Sequence, residues 1–144
     1  AALLAVKMKD ILAETQAQPP IIIDISASWA SKFILKVTAV ELLEVYSNHS
    51  FQPRRTVTRG ELAASLFRVI GYLEDKGYRF IRQIPPERIQ VQDVTADHFY
   101  FRPISEILSY QIMELYSDKT FRPDQTVSGP EAIKTIDVLL AVVR

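Results

Sequence analysis

The sequence predicts an all-α protein made of a repeated helix-loop-helix unit, and three observations predict it. Shifted by 70 residues, the chain falls on itself: Glu44, Tyr46, Ser47, Phe51, Pro53, Thr56, Val57 and Glu61 coincide with Glu114, Tyr116, Ser117, Phe121, Pro123, Thr126, Val127 and Glu131. Self-similarity at a fixed period marks a structure assembled from one supersecondary unit. Within each copy the apolar residues recur at helical spacing, not in alternation. Each copy also carries the S/T-x-x-E spacing of a capping box, Thr58 with Glu61 and Ser128 with Glu131, in which each side chain satisfies the other residue's free backbone N–H.

The elements follow in order. Ala1 to Met8 resembles Ala63 to Ile70 at a shift of 62, so residues 1–18 read as the closing helix of a truncated unit plus a linker. Its apolar face, Leu4, Met8, Ile11 and Leu12, must then pack against the later units. A Pro-Pro pair marks the linker Gln16–Pro20. The first complete unit spans 19–73. It opens on Asp24-Ile25-Ser26-Ala27, and Trp29, Phe33, Val37 and Val40 follow at i, i+4, i+8 and i+11. A loop from Tyr46 to Pro53 leads to the helix capped by Thr58, with Leu62, Leu66, Val69, Ile70 and Leu73 on its apolar side.

Residues 74–92 form a second linker. It contains Gly77 and Pro85-Pro86, and enough apolar residues to pack on the surface. The second unit, 93–144, opens on Asp93-Val94-Thr95-Ala96, has Phe99 where the first has Trp29, and continues through Ile104, Ile107, Leu108 and Met113. Pro103 fits the first turn of that helix, where a missing N–H costs little. After the loop Tyr116–Pro123 comes a final helix with Ile133, Ile136, Leu140 and Val143 as its expected apolar face. Five or six helices are expected, with under about one-tenth strand.

Composition narrows the function. Seventeen Lys plus Arg balance seventeen Asp plus Glu, so the net charge is zero. The whole-molecule positive field that gathers nucleic acid is missing, and no nucleic-acid partner is expected. Zero cysteines exclude thiol catalysis and thiolate metal sites. His49 and His98 lie far apart and in no ligand spacing, so no metal is expected. Four glycines leave little material for a phosphate cradle, and no nucleophile motif or convergent His and carboxylate set is present. No catalytic residue and no cofactor are therefore expected. No apolar run approaches the ~20 residues of a membrane-spanning helix. The chain begins in a segment already helical in character, which points to a piece of a larger polypeptide whose targeting signals lie upstream.

These residues resemble the S-layer homology family. Its pattern is an Asp-Val start, an aromatic at the head of the first helix, a loop of the form Asp-Gly-Thr-Phe-Arg-Pro-Asp and a Thr-Arg-Ala-Glu cap. Asp93-Val94, Phe99, Asp118-Lys119-Thr120-Phe121-Arg122-Pro123-Asp124 and Ser128-Gly129-Pro130-Glu131 match it in order. Asp24-Ile25, Trp29, Ser50-Phe51-Gln52-Pro53 and Thr58-Arg59-Gly60-Glu61 match it again. The resemblance implies modules packed about a pseudo-threefold axis. It also implies a non-catalytic role in the bacterial envelope, at the cell surface or in the periplasm, holding a larger protein to an anionic cell-wall polysaccharide. The alternative is a structural scaffold of the same fold whose partner is another envelope protein.

The candidate glycan groove is Trp29, Arg54, Arg55, Arg59 and Glu61. Three guanidiniums within six residues of a helix start, aided by the helix dipole, can hold an anion, although such a cluster is more often a solvated face. In the resembled family the Arg of the cap lies near the groove, and Arg59 keeps it. Gly129 stands at that place in the second unit, so recognition is expected from the first unit alone. The weaker second-repeat counterparts are Phe99, Lys119, Arg122 and Glu131. The family's loop glycines are replaced by His49 and Lys119, and its glycine ahead of the loop by Val45 or Leu115. Trp29 and Phe99 read first as core or staple aromatics and second as sugar-stacking surfaces. Glu61 and Glu131 read first as helix caps.

Overall fold

A computed structural model describes residues 1–13 and 17–143. Glu14, Thr15, Gln16 and Arg144 lie outside the described residues, and with them the start of the Gln16–Pro20 linker and the last residue of the second repeat. The described residues form six α-helices and one short 3-10 turn, with no strand among them beyond an isolated bridge between Thr58 and Thr126. Backbone contacts divide the chain into two compact units, Ala1–Arg55 and Thr56–Arg144, so the division falls between the loop and the second helix of the first repeat.

In the first unit, α1 is Ala2–Lys7, α2 is Lys9–Ala13 and α3 is Ser31–Ala39. The single closing helix expected over Ala1–Leu12 is two, interrupted at Met8, whose φ of −103° and ψ of 18° depart from helix. The Met8 N–H still reaches the Leu4 carbonyl and the Leu12 N–H reaches that of Met8, so one face runs through both pieces. Leu4, Ala5, Met8 and Leu12 are buried, and α1 packs on α3. The inner side of α3 is Ile34 and Val37. Trp29 precedes the helix and touches Phe33 edge-on at 6.2 Å without entering the core. Of the stripe expected from Trp29 onward only Val37 is buried: Phe33 and Val40 are half-buried, and Trp29 stands before the helix, where Ser28 Oγ accepts the Ala30 N–H and the chain turns.

In the second unit, α4 is Arg59–Asp75, α5 is Phe101–Ser109 and α6 is Gly129–Val142, with the 3-10 turn at Pro86–Arg88. The capping box of α4 is complete, and Leu62, Leu66, Val69, Ile70 and Leu73 are all buried. Helix α5 packs against α4 through its apolar side, which includes Ile104, Ile107 and Leu108. The stretch after α4 is tied down: the Gln83 and Ile84 N–H groups donate to the Ser109 carbonyl, and Arg82 pairs with Glu106. Gly60 is required where it stands, because a Cβ there would meet the Tyr100 ring at 2.5 Å.

Helix α6 differs from expectation at its inner face, which is Thr135, Ile136 and Leu139, while Ile133 is exposed. Between Ile133 and Val143 the sequence is apolar on almost every side. Two stripes therefore satisfy the helical period, and packing chooses between them.

Candidate functional site

The two loops are built alike. Asp24 accepts the Phe51 N–H on one oxygen and the Gln52 N–H on the other, both at 2.8 Å. Asp93 accepts the Phe121 and Arg122 N–H groups in the same way, at 2.7 Å each. The opening Asp of each repeat is thus a fork that clasps the loop some 28 residues later. Inside the loops Asn48 and Asp118 accept the N–H of the residue two positions on, forming the turn. His49, Gln52, Lys119 and Arg122 all hold φ between 56° and 61°, a region that favours glycine. That geometry accounts for the resembled family's glycine where His49 and Lys119 stand, and it sends both side chains outward.

The first clasp and the turn of the second loop carry a pH signature. The Phe51 N–H foremost holds Asp24 below its ordinary carboxylate range, and the Thr120 hydroxyl, the Thr120 N–H and Arg122 push Asp118 down to about 2. Since these groups are more acidic folded than unfolded, their stabilisation is present above the ordinary value of 3.8 and is lost as pH falls toward about 2. Melting temperature should therefore begin to fall near that upper value on acidification, and Asp118→Asn should flatten part of the fall; an identical acid profile for wild type and variant would refute the assignment.

One groove lies wholly in the first unit. Trp29 stands 80% exposed at its edge, Arg54 and Arg55 are exposed along it, and Asp24, Ser28, Gln52 and Pro53 complete a volume of about 440 Å³. Arg55 also lies over the Tyr46 ring, at 5.9 Å from its centre. Asp24, whose two oxygens accept the Phe51 and Gln52 N–H groups, adds one negative charge to the same lining. The groove presents an aromatic face beside two cations.

The counterpart loop in the second unit lacks that chemistry. Phe99 is 85% exposed against Tyr100, but the residues matching Arg54 and Arg55 are Asp124 and Gln125. Arg122 pairs with Asp118 at 3.0 Å and lies over the Tyr116 ring, while Lys119 stays exposed. Reading Trp29 and Phe99 first as core or staple aromatics is corrected here: both face solvent.

Arg59 lies elsewhere, within the second unit. Its side chain is 7% exposed, with Nε donating to the Phe121 carbonyl at 2.8 Å, Nη2 to that of Glu114 at 2.9 Å, and Nη1 paired with Glu131. The guanidinium also lies over the rings of Tyr116 and Phe121, at 4.9 Å and 4.6 Å from their centres. The backbone donors at that helix start are spent as well: the Arg59 N–H goes to Gln125, the Gly60 N–H to Pro123 and the Glu61 N–H to Thr58 Oγ1. The cation expected to be offered to an anion is instead a guanidinium that ties α4 to the loop between α5 and α6. Glu61 returns the Thr58 N–H bond as a cap. Glu131 breaks the expected symmetry: Ser128 accepts its N–H, but its carboxylate turns to Arg59 and not to the Ser128 N–H.

Sequence reasoning assigned no role to Asp24 and Asp93, although their recurrence ahead of each first helix is the signal that marks them. The Arg59–Glu131 pair was illegible because 72 residues separate its members. Among the described residues no group of three or more acidic or histidine side chains is placed to hold a metal, and no helix is long and apolar enough to cross a membrane.

The S-layer homology domain model matches residues 23–63 and 92–133, together more than half of the chain, and the protein belongs to that family. A curated relative, the cellulosome-anchoring protein of Acetivibrio thermocellus, is 28% identical over 111 residues. The match covers 77% of this chain but 23% of the relative, so the chain spans about a quarter of that protein's length. No solved structure matches the chain.

Proposed function

We propose that the chain is a non-catalytic binding module that fastens a larger protein to the bacterial envelope by gripping an anionic cell-wall polysaccharide. The observation that carries this is the groove of the first unit, where exposed Trp29 stands beside Arg54 and Arg55. A sugar ring has an apolar face that stacks on indole, and guanidinium forks suit the carboxylate or ketal oxygens of an acidic glycan. Family membership and the anchoring protein among its relatives point the same way. Arg59 and Glu61 enter this reading as residues that shape the fold. The scaffold alternative has support in the second repeat, where Asp124, Gln125 and Gly129 replace Arg54, Arg55 and Arg59.

Titration with purified envelope polysaccharide tests the proposal. Trp29→Ala should weaken binding about tenfold or more, and Arg55→Ala by about 1.5 to 3 kcal/mol if its hydrogen bond is to a charged group. Both variants should melt with the wild type, since both side chains are exposed. Undiminished binding by both would move the function to the protein-scaffold reading.

A further inference from the structure

We infer that Tyr46 is the positioning residue of the first-unit groove: its ring holds the Arg55 guanidinium in place before a ligand arrives. The inference rests on the reading that this groove grips an acidic polysaccharide, and it assigns Tyr46 no contact with the ligand.

Tyr46 is itself fixed at the base of its loop. Its N–H donates to the Ser50 carbonyl at 2.9 Å and its carbonyl accepts the His49 N–H at 2.8 Å, so the loop closes on it through both backbone groups. Arg55 is tied down just beyond the same loop. Its N–H donates to the Gln52 carbonyl at 3.0 Å, and the Gln52 N–H is in turn clasped by Asp24. With both backbones held, the ring and the guanidinium meet, Cζ lying 5.9 Å from the ring centre. Tyr46 is 42% exposed, so its ring meets a side chain at the surface and is not consumed by the core.

The second loop repeats the arrangement with other chemistry. The Tyr116 N–H donates to the Thr120 carbonyl, the Tyr116 carbonyl accepts the Lys119 N–H, and the Gln125 N–H donates to the Arg122 carbonyl. Gln125, at the place of Arg55, donates from Nε2 to the Tyr116 hydroxyl at 2.8 Å. In each loop the tyrosine therefore holds the side chain nine residues later, a guanidinium on the ring in one and an amide on the hydroxyl in the other. The same two positions joined by different bonds mean that loop geometry brings them together, whatever side chain stands there. Arg59 and Arg122 also lie over the Tyr116 ring, at 4.9 Å and 3.9 Å, so the second tyrosine serves cations engaged within its own unit. Tyr46 instead holds a cation that lines an exposed groove.

A consequence for affinity follows. An arginine in water samples many rotamers, and gripping a ligand costs it that freedom. Lying over Tyr46, Arg55 has given up part of it beforehand, whereas among the described residues no ring lies over Arg54. Arg55 then gives the ligand a fixed point, and Arg54 adapts to it.

The test combines nitrogen-15 relaxation at the arginine Nε atoms of the free protein with titration by trigalacturonate, a carboxylate-bearing probe. In wild type the Arg55 Nε should be more ordered than that of Arg54, and Tyr46→Leu should make the two equally mobile. Tyr46→Phe keeps the ring and should keep the order. Tyr46→Leu should also weaken trigalacturonate binding about two- to fivefold, the worth of one exposed contact between a cation and a ring, while Tyr46→Phe binds as wild type does. In an Arg55→Ala background Tyr46→Leu should cost no further affinity, which separates positioning from a general loosening of the loop. Unchanged Arg55 order in Tyr46→Leu, or an equal loss of affinity with and without Arg55, would overturn the inference. Failure of the wall-binding reading shows separately, as no retention of wild type on envelope polysaccharide, and the relaxation of the free protein then still decides whether Tyr46 places Arg55.

Discussion

Arg59→Ala is expected to lower the unfolding free energy by about 3 to 5 kcal/mol, the range for stripping one partner from a buried ion pair. The substitution leaves Glu131 facing an empty site and two carbonyls, those of Phe121 and Glu114, without their donor. It also removes the cation that lies over the Tyr116 and Phe121 rings. Arg59→Lys should recover only part of the loss, since an ammonium is a point charge and cannot reach three acceptors set around a planar fork. Urea denaturation at neutral pH measures both, and a loss under about 1 kcal/mol for the alanine variant would mean the buried network is not what holds α4 to the loop.

The second large effect is at the N-terminus. Removing residues 1 to 13 takes away Leu4, Met8 and Leu12, each nearly fully buried, with side chains worth about 1.5 to 3 kcal/mol apiece. The packing of α1 on α3 goes with them, exposing Ile34 and Val37 in the first unit. The melting temperature should drop by roughly 4 °C or more for each kcal/mol lost by a unit of this size. An unchanged melting curve would mean the segment adds nothing to the unit it packs on.

How far the sequence could be read depended on where each signal lay. Helix α4 was legible at its start and along its buried face because its apolar side is one clean stripe, Leu62 to Leu73, and its start is a complete capping box, although it runs two residues past the expected end, to Asp75. Helix α6 was legible in place but not in orientation, since a segment apolar on almost every side carries little information about which side turns inward. The repeat revealed both loops, yet the role of Asp24 and Asp93 emerged only once the loop amides were seen at their oxygens. The candidate cluster of Arg54, Arg55 and Arg59 is split by the fold: the first two face solvent and the third is buried. Six residues of sequence do not distinguish a cation offered to a ligand from one spent on carbonyls, because the acceptors of Arg59 come from positions 114, 121 and 131.

The most direct measurement of the central claim, that recognition lies at the exposed groove of the first unit, is co-sedimentation with purified bacterial wall material. Wild type and a Trp29→Ala, Arg54→Ala, Arg55→Ala triple variant would be compared, with melting curves confirming that both are folded. The groove predicts that wild type enters the pellet and the triple variant stays in the supernatant. Equal pelleting of the two folded proteins would contradict it.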